Sequence, residues 1–189
     1  MTGRPLTSFE HILLGLICTS PSSGYDLKRV FAATPMGLYQ PSSGALYPAL
    51  RRLEDRELVR AHPLSGRPAQ SARHRRVYEP TPEGRMTHAE WLRTPIDPVT
   101  ASRDLGLHLM RFVMMEPVFP REEVLAFLRS LADALAVLVA QLEQYTATTE
   151  MSELHPVLAL DHGLAVHRAS LRWARQTIAA LSEAAVPSR

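Results

Sequence analysis

The sequence predicts a mainly α chain: an N-terminal winged helix-turn-helix with a two-stranded β-wing, followed by an all-helical C-terminal dimerisation domain. Three observations lead there. In the first half, three helix-patterned segments precede two strand-like segments that flank a basic, turn-rich stretch. In the second half, two long segments repeat apolar residues at alternating spacings of three and four. Between the halves, Pro95 and Pro98 interrupt otherwise helix-favouring sequence, as proline does by removing a backbone donor and crowding the preceding turn. The expected domains are residues 1–94 and 95–189.

The elements follow in order. Thr7 or Ser8 can cap a first helix reaching about Cys18, with Leu13, Leu16 and Ile17 on one face, because a hydroxyl satisfies the free amides of a first turn. Ser22-Ser23-Gly24 reads as a turn, and a second helix follows with Tyr25, Leu27, Val30 and Phe31, ended by Pro35-Met36-Gly37. Ser42 or Ser43 caps a third helix in which Leu46, Leu50 and Leu53 share a face at i, i+4, i+7. Pro48 falls one turn into it and removes the bond to the Gly44 carbonyl, which is tolerable near a helix start. Leu58 to His62 is a strand, Pro63 to His74 a long loop, and Arg75 to Glu79 the return strand. Pro82 suits the first turn of a helix running to Leu92.

Beyond the prolines, Arg103 to Met115 is expected as one helix. Over residues 121–148, Val124, Leu128, Leu131, Leu135, Leu138, Leu142 and Tyr145 recur as a heptad seam. Val157, Leu160, Leu164, His167, Leu171, Ala174, Ile178 and Leu181 make a second. A helix of the first length extends roughly 40 Å, more than a small domain needs for its own core. Two such helices form a hairpin or a coiled coil. The excess length points to a homodimer; packing within one chain is the alternative.

Composition narrows the function. The net charge of +2 conceals a basic first half, with 13 Lys/Arg against 8 Asp/Glu in residues 1–94, and an acidic second half. A basic half suits a polyanionic partner. The single cysteine, Cys18, allows no intrachain disulfide, and in an apolar helix it is expected to act as a small hydrophobe. No segment reaches the ~20 apolar residues of a membrane span. The apolar run Ile12–Cys18 follows Glu10 and His11 without a cleavage motif, so a cytoplasmic location is expected. Phosphate-binding glycine loops, nucleophile elbows and zinc-type cysteine pairs do not occur, so no enzyme or cofactor is expected. His155, His162 and His167 include no pair at the i, i+4 spacing of a helical zinc site, and no metal is expected either.

The third helix carries the binding argument. With its leucines inward, Ser43, Tyr47 and Arg51 form an adjoining stripe, and Gly44 and Arg52 lie further round. Small residues and free amides at a helix start accept phosphate, tyrosine reaches phosphate or sugar, and arginine reaches phosphate or a guanine edge. Ser42, Lys28 in the second helix, and Arg67, Arg75 and Arg76 in the wing complete the expected surface for double-stranded operator DNA. Arg73 is balanced between that role and a solvated loop. A helical protein-interaction module that binds no DNA is the alternative function.

The same residues resemble the PadR family of bacterial transcriptional regulators. The resemblance rests on Ser23-Gly24-Tyr25-Asp26-Leu27, on Ser43-Gly44-Ala45-Leu46-Tyr47-Pro48-Ala49-Leu50-Arg51-Arg52-Leu53-Glu54, and on Arg76-Val77-Tyr78 with Thr81-Pro82-Glu83-Gly84. Trp91 to Pro95 and Arg103 to Phe112 look like the helical dimerisation part of the larger-tailed branch. It implies a homodimer on an operator, usually a repressor, released by a small molecule, with Ser43, Tyr47 and their neighbours reading the DNA. Glu57 stands where the family commonly has glycine, so this corner is expected to turn differently. His167 interrupts an apolar seam, where it reads as a satisfied structural or register-setting histidine; the sharper alternative makes it, with Met114 and Trp173, part of an effector pocket between the two halves.

Overall fold

Eight helices and three short strands make up the described residues of the computed structural model, which are 4–33, 43–63, 76–150 and 153–183. They divide into two compact units, Met1–Arg93 and Thr94–Arg189.

In the first unit, α1 (Ser8–Thr19) starts on a reciprocal cap: the Thr7 hydroxyl accepts from the Glu10 amide at 3.3 Å, and the Glu10 carboxylate accepts from the Thr7 amide at 2.7 Å. Two free donors of the first turn are thereby satisfied. Its buried Ile12, Leu13, Leu14 and Ile17 meet Leu27 and Phe31 of α2 (Gly24–Ala33) and Leu46, Ala49, Leu50 and Leu53 of α3 (Ser43–Asp55) in one core. The α3 helix runs unbroken through Pro48. Tyr25, placed with the apolar residues of α2 from sequence, is instead 65% exposed.

The wing strands are β2 (Val59–Pro63) and β3 (Arg76–Pro80), antiparallel, with Ala61 opposite Tyr78. The expected two-stranded ribbon is corrected to a three-stranded sheet of order β1-β3-β2, because Ser22–Ser23, read as a turn, pairs with Tyr78 and Val77 as β1. A two-residue strand of serines leaves no alternation to detect. Ser23 also opens α2, its hydroxyl accepting from the Asp26 amide at 3.2 Å and donating to the Asp26 carboxylate at 2.6 Å.

The corner between α3 and β2 is tight. Glu57 adopts φ 58°, the left-handed region that glycine enters without penalty and glutamate does not. The expectation that glutamate would turn this corner differently is corrected: the backbone takes a left-handed turn with a side chain in place. Thr81 then fastens α4 (Pro82–Leu92) beneath it, its hydroxyl donating to the Glu57 carbonyl at 2.7 Å and accepting from the Gly84 amide at 2.9 Å.

In the second unit, the helix expected over 103–115 is α6 (Leu105–Met115), and a short α5 (Pro98–Arg103) that the sequence reading did not place precedes it, the two separated at Asp104 with φ −115° and ψ 28°. Asp97 starts α5 through hydrogen bonds from the Val99 and Thr100 amides at 2.9 and 3.0 Å. Asp-Pro at a helix start is a cap followed by a first-turn proline, and here it begins an element rather than merely separating two. Helices α7 (Arg121–Thr148) and α8 (Leu154–Glu183) pack against each other. Their seam holds Leu131, Leu135, Val139, Leu164, Leu171 and Ala174, and Arg168 donates to Glu143 at 2.6 and 3.0 Å. Much of the heptad seam is thus covered within one chain, whereas Tyr145 of the first heptad run stays exposed.

Gly163 sits inside α8 with nothing within 4 Å of where a Cβ would stand. Gly163→Ala is expected to stabilise the C-terminal unit by about 1 kcal/mol through helix propensity alone. A urea midpoint at or below that of the parent would show that this stretch of α8 is not the plain solvated helix described.

Candidate nucleic-acid interface

Buried leucines decide which side of α3 faces out. Leu46 is 1% exposed and Ala49, Leu50 and Leu53 are fully buried, whereas Gly44, Ala45, Tyr47, Pro48, Arg51 and Arg52 are exposed. The helix is anchored along one side and offers the other to solvent. Tyr47 is 49% exposed, and its ring lies over the start of α2, where a Cβ on Gly24 would come within 2.8 Å of Cε1. Glycine at 24 therefore lets the second helix approach the tyrosine that the third one presents.

The charges divide into two kinds. The Arg51 side chain is 82% exposed and meets Asp55 only at 4.0 Å, a contact worth little against solvent screening. Arg52, 53% exposed, is tied back to α1. Its Nε donates to Glu10 at 2.5 Å, and that carboxylate is 5% exposed. Burial by itself would raise the Glu10 carboxyl, but the Thr7 amide, the Arg52 guanidinium and the Thr7 hydroxyl together hold it below the usual range. Arg76, expected on the wing surface, makes two parallel bonds to Glu54 of α3 at 2.5 and 3.0 Å and lies 5.9 Å over the Tyr78 ring. Such a forked pair fixes orientation as well as charge. It ties the return strand of the wing to the third helix.

Of the remaining expected residues, Lys28 is on the exposed side of α2 and Ser43 opens α3. Ser42, Arg67, Arg73 and Arg75 lie outside the described residues. Sequence reasoning missed Ala45 and Pro48 as members of the outward face, and missed Glu10 and Glu54 as internal partners of two arginines. The outward positions were available from helical spacing once Ala49 is counted with the core. The acidic partners lie 42 and 22 residues away in sequence, where no local pattern points to them.

Of the three residues expected around an effector, Met114 lies on α6 and His167 and Trp173 on α8. Met114 is buried on α6 at 5% exposure. Trp173 presents its ring edge-on to Phe112, with centroids 5.6 Å apart. His167 is half-buried on α8, its Nδ1 has no hydrogen-bond partner among the described residues, and burial lowers its imidazole pKa. Cys18 is held as a thiol, its pKa pushed up to about 11 by burial. Among the described residues, no group of three or more potential ligands could hold a metal ion, and no helix is long and apolar enough to cross a membrane.

Residues 13–90 match the model described as the transcriptional regulator PadR-like family, and residues 110–182 match that of the virulence activator alpha C-terminal region. A probable transcriptional regulator of Mycobacterium tuberculosis is 29% identical over 102 residues, 53% of this chain. The match spans 51% of that relative's own length. The PadR protein of Bacillus subtilis, crystallised with operator DNA, is 19% identical with a TM-score of 0.44, covering 94% of this chain and 99% of that one. The Vibrio cholerae virulence activator AphA is 21% identical with a TM-score of 0.38 over the same shares.

Proposed function

We propose that this chain, a PadR-like regulator protein over residues 13–90 with a virulence-activator-type C-terminal region over residues 110–182, binds operator DNA as a homodimer and represses transcription until a small molecule releases it. The observation that carries the DNA part is the outward face of α3. Gly44, Tyr47 and Arg51 project from a helix whose opposite side is locked by four buried residues. A helix held this way can enter a major groove without rearranging its own core.

Two of the expected cations serve the scaffold. With Arg52 and Arg76 paired to Glu10 and Glu54, Arg51 is the cation of α3 left most open to a phosphate. Arg52 and Arg76 instead set the angle of α3 against α1 and the wing. Tyr47→Ala should weaken specific binding by roughly 5- to 100-fold, within the ~1–3 kcal/mol of a good base contact, while leaving the melting curve unchanged. Unchanged affinity in that variant would move the reading surface off α3.

The homodimer is supported by apolar surface that the internal seam leaves uncovered. Leu154, Leu158 and Val166 of α8 are 66%, 54% and 39% exposed, and Tyr145 near the end of α7 is 52% exposed. A second subunit would cover such surface.

The test is fluorescence anisotropy with labelled DNA from upstream of the chain's own gene, over a salt series. Binding should weaken steeply with salt as counterions are released. No binding even at low salt would overturn the reading and favour an interaction module. Activation is the second reading, favoured by the virulence-activator description of the C-terminal match. A reporter driven by the bound promoter separates the two. Repression predicts higher expression when the gene is deleted, activation lower.

A further inference from the structure

We propose that the cleft between the start of α1 and the C-terminal half of α3 is a binding site for a phosphate group, with Arg4, Arg52 and Arg56 as its ligands. The cleft holds about 240 Å³ and is lined by these arginines together with Pro5, Glu10 and Asp55. That is below the roughly 300–1,000 Å³ of sites for drug-sized molecules and suits a compact anion. Arg52 reaches α1 on one flank of α3, whereas Tyr47 lies over the start of α2 on the other. The cleft is therefore separate from the surroundings of the tyrosine.

Charge decides what this cleft can hold. Three guanidinium groups meet two carboxylates, and both carboxylates are engaged. Glu10 is 5% exposed, and it accepts from the Arg52 Nε through one oxygen and from the Thr7 amide through the other. Asp55 is 66% exposed and stands 4.0 Å from Arg51. Arg52, besides tying α3 to α1, gives only its Nε edge to that contact. Among the described residues its two terminal nitrogens make no hydrogen bond. A guanidinium held along one edge by a carboxylate keeps its orientation and turns the other edge outward, where paired bonds to phosphate oxygens can form.

The walls are set before a ligand arrives. Arg56, four residues beyond Arg52, donates through Nη1 to the Arg4 carbonyl at 2.8 Å. That bond holds the segment before α1 against the end of α3, and Arg4 lines the cleft from this segment. Fixing the walls in advance lowers the ordering cost of binding. Two sources can supply the phosphate: the backbone of a DNA duplex lying along α3, or a free phosphorylated small molecule. Only the first of them rests on the operator reading.

The test titrates pyrophosphate into the full chain without DNA, by calorimetry at constant ionic strength. The parent should bind one pyrophosphate per chain. Arg4→Gln is the cleanest variant, because the Arg56 bond goes to the main-chain carbonyl of residue 4 and survives the change. It should weaken pyrophosphate roughly 10-fold, the scale of one lost charge-assisted contact. Arg56→Gln should weaken it at least as much, and Arg56→Lys should recover part of the loss. Arg129→Gln, which removes the same charge from an exposed position on α7, should leave binding unchanged. A salt series with DNA then separates the sources. A backbone phosphate in the cleft predicts that Arg4→Gln lowers the slope of log affinity against log salt by about 1 per subunit. A free phosphorylated ligand predicts an unchanged slope. No pyrophosphate binding in the parent, equal binding in the parent and Arg4→Gln, or an equal loss in Arg129→Gln would overturn the site. Because the calorimetry contains no DNA, failure there leaves the operator reading standing, and failure of DNA binding leaves the phosphate site standing in turn.

Discussion

Gly84→Ala is expected to unfold the N-terminal unit at ordinary temperature or bring it close to unfolding, with a loss of at least about 3 kcal/mol, the scale of a severe steric clash in a packed core. A Cβ at position 84 would stand 2.0 Å from the Leu58 carbonyl oxygen and 2.9 Å from its carbon. Both are backbone atoms, so no side chain can swing aside to make room. The backbone there is pinned from several directions. Leu58 lies past the left-handed turn at Glu57, its amide bonds the Leu53 carbonyl at 3.0 Å, and its carbonyl accepts from the Thr81 amide at 3.1 Å. Thr81 in turn caps α4 through the Gly84 amide. Relief of the clash must therefore pull α4 away from the wing corner or break the cap. Alanine would otherwise favour the helix by about 1 kcal/mol, and the same exchange at Gly163 is the internal control. Urea unfolding followed by Trp91 fluorescence in a Trp173→Phe background isolates this unit. A midpoint equal to that of the Gly84 parent would mean that α4 does not approach the corner so closely.

The comparison of sequence with structure divides by the range of the interaction. Residues 82–92 and 121–148 were read with the bounds they have, because long amphipathic stretches with a proline or a cap at the start state their own limits. The inward side of α3 was legible for the same reason, and so was the outward stripe of Tyr47 and Arg51. Two pairings were missed for another reason. A sequence displays the charges of Arg52 and Arg76 but not their partners. Glu10 and Glu54 become partners only once α1 and β3 are folded beside α3. The heptads show a similar gap, since periodicity specifies an apolar seam and is silent on whether the facing helix belongs to the same chain. The short helix at Pro98–Arg103 and the serine strand at residues 22–23 were missed as short local features that carry no periodic signal of their own.

Acid should weaken the N-terminal unit first through one histidine, with the Glu10 carboxylate following at lower pH. His88 is 2% exposed, its Nδ1 has no partner among the described residues, and its ring lies 5.9 Å from that of Trp91. Burial lowers its pKa from 6.5 to about 4, so the folded chain holds it neutral. In the unfolded chain it returns to the ordinary value and takes up a proton that the folded state refuses. Between about pH 6.5 and about pH 4 the unfolded state thus binds more protons, and stability falls as pH falls. At roughly 1.4 kcal/mol per unit, the shift amounts to a loss of up to about 3 kcal/mol, with the contribution fully present above pH 6.5. His88→Leu should flatten this dependence. It should cost little at neutral pH, because it removes a buried polar atom that gains no bond among the described residues. His108 and His167 also have lowered pKa values from burial, but they belong to the other unit, so the readout must again be Trp91 in the Trp173→Phe background. Urea midpoints across that pH range decide the matter. If the parent and His88→Leu lose stability in parallel on acidification, the acid sensitivity arises elsewhere in the unit and His88 is not its source.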